Sequence, residues 1–351
     1  MMRLPLFRFV SARTVQEAAE ALATSPEAML VAGGTDLIPN MKRRQQEPKI
    51  LVSLRRIEEL RRISTGTPPR GGIESDADMV TIGAAVTLTE LVRNKRIADQ
   101  YTGLWQAAAQ VATPPLRNMG TIGGNICLDT RCNYYDQNYE WRKAIGFCLK
   151  KAGEICWVAT SSPKCLAVSS TDTAPALIAL GAEVTLVSAA GSRTLPLGDL
   201  YRNDGIRYLT RRTDEILTHV RLPSAAGRRS TYWKLRRRGA FDFPVLSVAA
   251  AVKFSPTATV ETARIVIGAV ASRPVVAEVA GAALIGHSLT DEAIAEAARL
   301  AAEPARPMDN TDFTLLWRKR VTRDFVGYAL RELRGDSVSD LRRRHGVLWM
   351  G

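Results

Sequence analysis

All five cysteines of this 351-residue chain lie between positions 127 and 165. Their successive gaps are five, sixteen, eight and nine residues, so there is no Cys-x-x-Cys pair of the kind usual in structural zinc sites. Widely spaced thiolates from one irregular loop suit an iron-sulfur cluster, whose ligands are cysteines. The spacing alone favours an iron-sulfur site and leaves zinc or free structural thiols open.

Two glycine turns precede the cysteines. The first glycine turn, residues 31–37, contains Gly33-Gly34-Thr35-Asp36, and the second, residues 121–125, reads Thr-Ile-Gly-Gly-Asn. Each offers backbone N–H groups and a hydroxyl where no side chain blocks a ligand, as in pyrophosphate sites. One Gly-Gly pair is common in plain turns. Because no Gly-x-Gly-x-x-Gly opens a helix, the two turns together indicate a dinucleotide held between two subdomains, not a Rossmann site.

Short predicted elements position the first turn. Thr14-Val-Gln-Glu17 has the form of a capping box and predicts a helix over residues 15–24. The apolar run 28–31 predicts a strand leading into the turn, and residues 49–53 predict a second, adjacent strand. Residues 64–75 are rich in Pro, Gly and Thr, which marks a domain boundary.

The pattern after this boundary is interrupted by the cysteine segment. Residues 127–170, which we call the cysteine insertion, show no sustained period, and a long irregular insertion in a compact domain is usually functional. On either side the periodicity predicts strands at 79–84, 183–187, 215–221, 232–236, 246–254 and 264–271, and helices at 104–111, 275–284, 291–302 and 314–333.

Composition narrows the class of protein. The longest apolar stretches, such as 245–254, are far shorter than the roughly 20 residues of a membrane span, and the first residues lack a signal-peptide core. We therefore expect a cytoplasmic protein without membrane contact. In the cytoplasm, cysteines are more often metal ligands or free thiols than disulfides. The net charge of +13 is dispersed, which favours acidic protein partners or a phosphate-bearing ligand over nucleic acid. A basic nucleic-acid-binding protein with a structural metal site is the alternative from another class.

The sequence predicts no catalytic residue on this chain. The three histidines stand far apart at positions 219, 287 and 345, without metal-like spacing. No Ser-His-Asp or Cys-His arrangement accompanies them, and the serines near Asp172 lack a glycine elbow.

Four motifs in chain order resemble the FAD-binding medium subunit of the molybdenum hydroxylases, the xanthine dehydrogenase and carbon monoxide dehydrogenase group. They are Val31-Ala-Gly-Gly-Thr-Asp-Leu37, Thr121-Ile-Gly-Gly-Asn125, Asp172-Thr-Ala-Pro-Ala-Leu177 and Glu215-Ile-Leu217. The resemblance implies an α+β protein with a two-subdomain FAD-binding fold of the PCMH or vanillyl-alcohol-oxidase type. A C-terminal domain with a three-stranded sheet plus helices is expected to follow.

The corresponding domains are an N-terminal FAD-binding subdomain at 1–63 and a second at 64–224, which contains the insertion 127–170. A C-terminal α/β domain at 225–335 and a charged, mobile tail at 336–351 complete the chain. The resemblance also implies the cofactor-binding residues. These are Val31, Ala32, Gly33, Gly34, Thr35, Asp36 and Leu37 in the first turn, Thr121, Gly124 and Asn125 in the second, and Asp172, Leu217 and Lys234 around the adenine and isoalloxazine ends.

The cysteine insertion is similar to that of one branch of the family, the beta subunits of 4-hydroxybenzoyl-CoA reductases. The similarity includes Asp129-Thr-Arg-Cys-Asn-Tyr-Tyr135 and Gly146-Phe-Cys-Leu-Lys150. It implies a 4Fe-4S cluster with four ligands and a bystander role for Cys127. The implied ligands are Cys132, Cys148, Cys156 and Cys165.

The resemblance further implies the partners. Electrons would pass from a ferredoxin-type donor through the 4Fe-4S cluster and FAD to 2Fe-2S clusters on a small subunit. They would end at a molybdenum cofactor on a large molybdopterin-binding subunit, which removes the phenolic hydroxyl of 4-hydroxybenzoyl-CoA. The expected assembly is a dimer of heterotrimers. The flavin subunit of another molybdenum-dependent aromatic or CoA-ester dehydrogenase is the nearest alternative.

Overall fold

The computed structural model describes residues 3–66 and 78–345. Most of the predicted boundary segment and the end of the predicted tail therefore lie outside the described residues. The described chain forms three sheets in succession, and helices lie between and against them. In these two stretches, every helix is too short or too polar to span a bilayer.

The first sheet is parallel and has the strand order β1-β3-β2. The Thr14 hydroxyl accepts a hydrogen bond from the Glu17 N–H at 3.1 Å, which caps α1 as the sequence predicts. The predicted strands before and after the first turn are confirmed and lie side by side. The elements are β1 (Arg8–Ser11), α1 (Val15–Ala23), β2 (Ala28–Val31), α2 (Leu37–Lys42) and β3 (Ile50–Ser53), followed by a 3₁₀ turn at Glu58–Arg61.

The second sheet is antiparallel, with the order β4-β5-β8-β6-β7. The helix α9 is apolar on every side and buried along its whole length, as expected for a helix enclosed by protein. The elements are β4 (Ile63–Thr65), β5 (Val80–Gly83), α3 (Leu88–Arg93), α4 (Lys95–Gln100), α5 (Thr102–Ala109), α6 (Pro114–Arg117), α7 (Ile122–Ile126), α8 (Tyr139–Ala144), α9 (Thr173–Leu180), β6 (Glu183–Ser188), β7 (Gly191–Pro196), a 3₁₀ turn at Leu197–Leu200 and β8 (Ile216–Leu222).

The third sheet is antiparallel, with the order β12-β11-β10-β9. Both of its faces are covered: Tyr232 and Ala249 pack into the core of the second subdomain, while Trp233 and Val248 pack against the C-terminal helices. The elements are β9 (Arg228–Leu235), β10 (Leu246–Phe254), β11 (Val260–Gly268), β12 (Val275–Val276), α10 (Glu278–Ala282), α11 (Asp291–Ala302), α12 (Leu315–Arg334) and α13 (Ser339–Arg344).

Two C-terminal segments differ from the sequence expectation. The predicted helix at 275–284 begins as the short strand β12, because Val275 and Val276 pair with β11 and β-branched residues favour strands. The sheet therefore has four strands where three are predicted. The predicted mobile tail contains α13, in which the buried Arg342 donates to Glu332 at 2.5 Å and lies over the Trp233 ring.

Candidate functional site

The first glycine turn connects β2 to α2 and lies half-buried. Gly34 has a φ of +69°, a left-handed conformation that glycine adopts without strain. Among residues 3–66 and 78–345, none accepts a hydrogen bond from the backbone N–H groups of Gly33, Gly34 or Thr35. Three adjacent unused donors at a turn form the kind of concavity that binds a phosphate group. The turn therefore fits a pyrophosphate.

The second glycine turn is fixed to the chain around β5. The Gly123 N–H donates to the Ala84 carbonyl at 2.9 Å, and a Cβ on Gly123 would lie 2.7 Å from the Ala84 Cβ. Thr121 caps α7 by accepting from the Gly124 N–H at 3.1 Å. Gly124 itself is exposed. The close approach at Gly123 leaves Gly124 as the open face of the turn.

The structure brings the two turns into contact. A Cβ built on Gly33 would lie only 1.9 Å from the Met119 carbonyl oxygen and 2.9 Å from the Gly120 nitrogen, directly before the second turn. The Thr35 hydroxyl also lies near Gly120. Only a glycine at position 33 permits this approach. The juxtaposition of two turns, predicted for a shared dinucleotide, is therefore present in the fold.

Asn125 links the second turn to α9. Its Oδ1 accepts from the Thr171 hydroxyl at 2.9 Å, the Thr173 hydroxyl at 2.7 Å and the Thr173 N–H at 3.0 Å. This buried oxygen is fully used by the fold. Any contact of Asn125 with a cofactor stays a prediction.

Asp172 and Lys234 form a buried ion pair between the second and third sheets. The Lys234 ammonium lies 3.0 Å from Asp172 Oδ1, which also accepts from the Tyr232 hydroxyl at 2.7 Å. Burial raises the pKa of Asp172 and lowers that of Lys234, and their mutual attraction opposes both shifts. Leu217 lies on β8 and is buried in the same apolar core as Tyr232. The roles of Asp172, Leu217 and Lys234 toward a cofactor stay predictions.

The cysteine insertion gathers its thiols in a buried group. Cys132, Cys148 and Cys165 pack in one cluster with the Tyr135 ring. Cys156 is buried as well, and the residue before it, Ile155, accepts from the Leu149 N–H at 2.7 Å, directly after Cys148. Cys127, by contrast, packs against the core of the second subdomain. All five are free thiols, and the bystander role of Cys127 stays a prediction.

The four grouped thiols lie in a weakly solvated environment. Burial raises the pKa of Cys132 to about 12 and that of Cys165 to about 11. In the described residues, no group of three or more His, Cys, Asp or Glu side chains is arranged to bind a metal ion. Four thiols match an iron-sulfur cluster in ligand type and number.

Lys150 and Gly205 shape this thiol group. The Lys150 ammonium donates to Asp129 at 2.8 Å, to the Thr130 hydroxyl at 2.7 Å and to the Gly205 carbonyl at 2.6 Å. A Cβ on Gly205 would lie 2.7 Å from the Cys165 Sγ. Sequence reasoning assigned no role to Gly205, because a glycine after an aspartate reads as an ordinary turn.

Arg131 connects the cysteine insertion to the first glycine turn. Its guanidinium donates to the Asp36 carboxylate and lies 3.4 Å from Asn40 Oδ1 and 3.5 Å from Asp136. Asp36 is the last residue before α2. Arg131 belongs to the Asp129-Thr-Arg-Cys132 motif, but no local pattern indicates its partner Asp36, which is 95 positions away.

Known proteins share both halves of this architecture. Residues 5–225 match the family model of the FAD binding domain in molybdopterin dehydrogenase, and residues 230–333 match the C-terminal domain of the carbon monoxide dehydrogenase flavoprotein. The FAD-binding subunit of an aldehyde oxidoreductase from Escherichia coli is 30% identical over 328 residues, covering 90% of this chain and 95% of that protein.

Carbon monoxide dehydrogenase from Hydrogenophaga pseudoflava is similar in sequence and in structure. Its medium chain is 28% identical over 310 residues, which cover 87% of this chain and 90% of that protein. A solved structure of the enzyme from the same organism superposes with a TM-score of 0.75 at 27% identity, covering 94% of this chain and 98% of the other. The predicted fold class is confirmed. The chain belongs to the FAD-binding medium subunits of the molybdenum hydroxylase family.

Proposed function

We propose that this chain is an electron-transfer subunit that binds FAD at its two glycine turns and a 4Fe-4S cluster in its cysteine insertion. The cluster ligands are Cys132, Cys148, Cys156 and Cys165. The observation that carries the proposal is the burial of all four thiols, three of them in one cluster, in an insertion whose Arg131 contacts Asp36 of the first glycine turn. FAD, when bound, exchanges electrons singly or in pairs and so connects iron-sulfur carriers to two-electron chemistry.

The chain's own residues bind and shield these groups. The unused N–H groups at Gly33, Gly34 and Thr35 donate to the pyrophosphate, and exposed Gly124 lets the ligand approach the second turn. The cysteine insertion keeps water from the four proposed ligands, because none of these cysteines is more than 7% exposed. Lys150, over the Tyr135 ring at 4.9 Å, places a cation beside them and partly balances the thiolates.

We assign the complete enzyme to the 4-hydroxybenzoyl-CoA reductase branch, because the sequence around Cys132 and Cys148 resembles that branch. The reaction, on a large molybdopterin-binding subunit, replaces the phenolic hydroxyl of 4-hydroxybenzoyl-CoA by hydrogen. It consumes two electrons and two protons and releases water and benzoyl-CoA. A ferredoxin-type protein would be the electron donor, and a small 2Fe-2S subunit would be the partner that receives electrons from FAD.

A second candidate is the flavin subunit of another molybdenum-dependent dehydrogenase. It is favoured by the names of the relatives, which include a nicotinate dehydrogenase FAD-subunit from Eubacterium barkeri, 26% identical over 290 residues. Family membership favours both candidates over a nucleic-acid-binding protein. Anaerobic purification with partner subunits, followed by assays with 4-hydroxybenzoyl-CoA, nicotinate and aldehydes, distinguishes them. Turnover of nicotinate or an aldehyde without reduction of 4-hydroxybenzoyl-CoA would favour the second candidate.

The cluster is tested by Cys148→Ser, with Cys127→Ser as the matched control. The wild-type chain is expected to contain about four irons and one FAD, with a paramagnetic resonance signal after reduction. Cys148→Ser should lose the iron and retain FAD, since its thiol lies in the insertion and not in a glycine turn. Cys127→Ser should retain both. Unchanged iron content in Cys148→Ser would overturn the ligand assignment.

A further inference from the structure

Arg131 occupies a position between two sites that are far apart in the sequence. Its side chain is 8% exposed, and the Asp36 carboxylate that it contacts is 31% exposed. The same guanidinium lies 4.7 Å from the centre of the Phe243 ring, in the loop between β9 and β10. A planar guanidinium with several donors suits such a multiple contact, which an ammonium cannot reproduce in full.

The backbone of Arg131 is fixed as firmly as its side chain. Its N–H donates to the Val168 carbonyl at 2.8 Å, and the Val168 N–H donates back to the Arg131 carbonyl at 2.7 Å. The next residue, Cys132, donates its N–H to Asp136 Oδ2 at 3.0 Å, and Asp136 is ion-paired with Arg131. The position of Cys132 is therefore set through Arg131 and its two carboxylate partners.

The Asp36 end of the contact is equally constrained. Asp36 directly follows Thr35, whose N–H is an unused donor of the first turn, and Asp36 Oδ2 accepts from Asn40 Nδ2 at 3.0 Å. Burial raises the pKa of Asp36, and the attraction of Arg131 is the main effect that opposes this rise. Without Arg131 the carboxylate would lose its charged partner, and the turn would lose its tie to the insertion.

We propose that Arg131 is a positioning residue that couples the first glycine turn to the cysteine insertion, so that FAD binding orders the segment that carries Cys132. Because such coupling is reciprocal, occupation of the cysteines tightens FAD binding by the same factor. The contacts of Arg131 with Asp36, Asp136 and Phe243 all lie within this chain. The inference rests on the proposed function for the place of FAD at the first glycine turn and for the identity of the group that the cysteines bind.

The test measures the access of Cys132 in the full-length, iron-free protein. Iodoacetamide alkylation of Cys132 is followed by peptide mass spectrometry, with and without saturating FAD. In the wild type, FAD should slow alkylation by about 5-fold or more, the lower range of coupling between sites. Arg131→Gln should bring the ratio of the two rates close to 1, and Arg131→Lys should restore part of it. Taking the ratio within each variant removes any general change in thiol reactivity.

Arg142→Gln is the matched control. Arg142 is also a buried arginine of the cysteine insertion, but its guanidinium donates to the Arg43 carbonyl. Arg43 follows the C-terminal end of α2, whereas the first glycine turn precedes its N-terminal end. This variant should speed alkylation in both states and preserve the ratio. An FAD-independent rate in the wild type, or a wild-type ratio in Arg131→Gln, would overturn the inference. Failure of the chain to bind iron would refute the proposed function and leave this ratio intact, so the two outcomes are distinguishable.

Discussion

The contact between the two glycine turns can be tested by replacing Gly33 with alanine. The added methyl would meet the Met119 carbonyl oxygen at 1.9 Å, against about 3.4 Å for an ordinary contact. The obstacle is backbone, which cannot rotate away as a side chain can. One turn must therefore move by about 1.5 Å, and the unused N–H groups of Gly34 and Thr35 move with it.

This displacement is large on the scale of a hydrogen bond. An N–H···O bond of about 2.9 Å that lengthens by about 1.5 Å is broken. A hydrogen bond to a charged group contributes about 1.5 to 3 kcal/mol, so the loss of two bonds to the pyrophosphate costs about 3 to 6 kcal/mol. The dissociation constant of FAD should then rise by roughly 100-fold to 20,000-fold.

Fluorescence titration of the flavin-free protein with FAD measures this change. Gly239→Ala is the control, because a Cβ on Gly239 meets no described atom within 4 Å. Far-ultraviolet circular dichroism distinguishes a local shift of the turn from unfolding. If Gly33→Ala bound FAD within about threefold of the wild type while retaining its fold, the assignment of the two touching turns to the pyrophosphate would be refuted.

Two further predictions concern the thiol group and acid stability. Gly205→Ala would place a methyl 2.7 Å from the Cys165 Sγ, so the iron content per FAD should fall. Gly198→Ala is the control, because the nearest atom to its added methyl is 4.0 Å away, and its iron content should be unchanged. Equal iron contents in the two variants would contradict this prediction. Hydrogen bonds from Arg193 hold the pKa of Glu215 below its usual value of 4.5. A lowered carboxyl pKa contributes stability above pH 4.5 that is lost as the pH falls through the folded-state pKa. Below pH 4.5 the thermal midpoint of Glu215→Gln should therefore fall less steeply than that of the wild type. Parallel profiles of thermal midpoint against pH for the two proteins would contradict this prediction.

Local signals in the sequence were sufficient for much of the fold. The capping box at Thr14 and the apolar period of residues 291–302 predict helices that the structure confirms as α1 and α11. The helix expected at 275–284 did not form throughout, since Val275 and Val276 gain strand partners in β11. Such pairing depends on a neighbour brought close by the fold, which a local pattern does not contain.

The candidate site, like the fold, was only partly predictable from local sequence patterns. Residue types pointed to the two glycine turns and to the cysteine insertion, because two such turns and five clustered cysteines occur in one chain. The choice of four cysteines as ligands came from the resemblance and stays a prediction. The contacts that assemble them were not predictable. Gly33 meets Met119 across 86 positions, Arg131 meets Asp36 across 95, and Gly205 limits the space at Cys165 across 40. Each depends on how distant segments fold back on each other.

These long-range contacts also explain how a flavin subunit can contain so long an insertion. Asn125, before the insertion, accepts from Thr171 and Thr173, just after it, so the base is closed by hydrogen bonds 46 and 48 positions apart. Arg131 and Val168 pair one step further in. Since the entropy cost of a loop grows only slowly with its length, a closed base lets the insertion lengthen without disturbing α7 or α9. Arg131, through Asp36, and Arg142, through the Arg43 carbonyl, then hold the insertion against the two ends of α2.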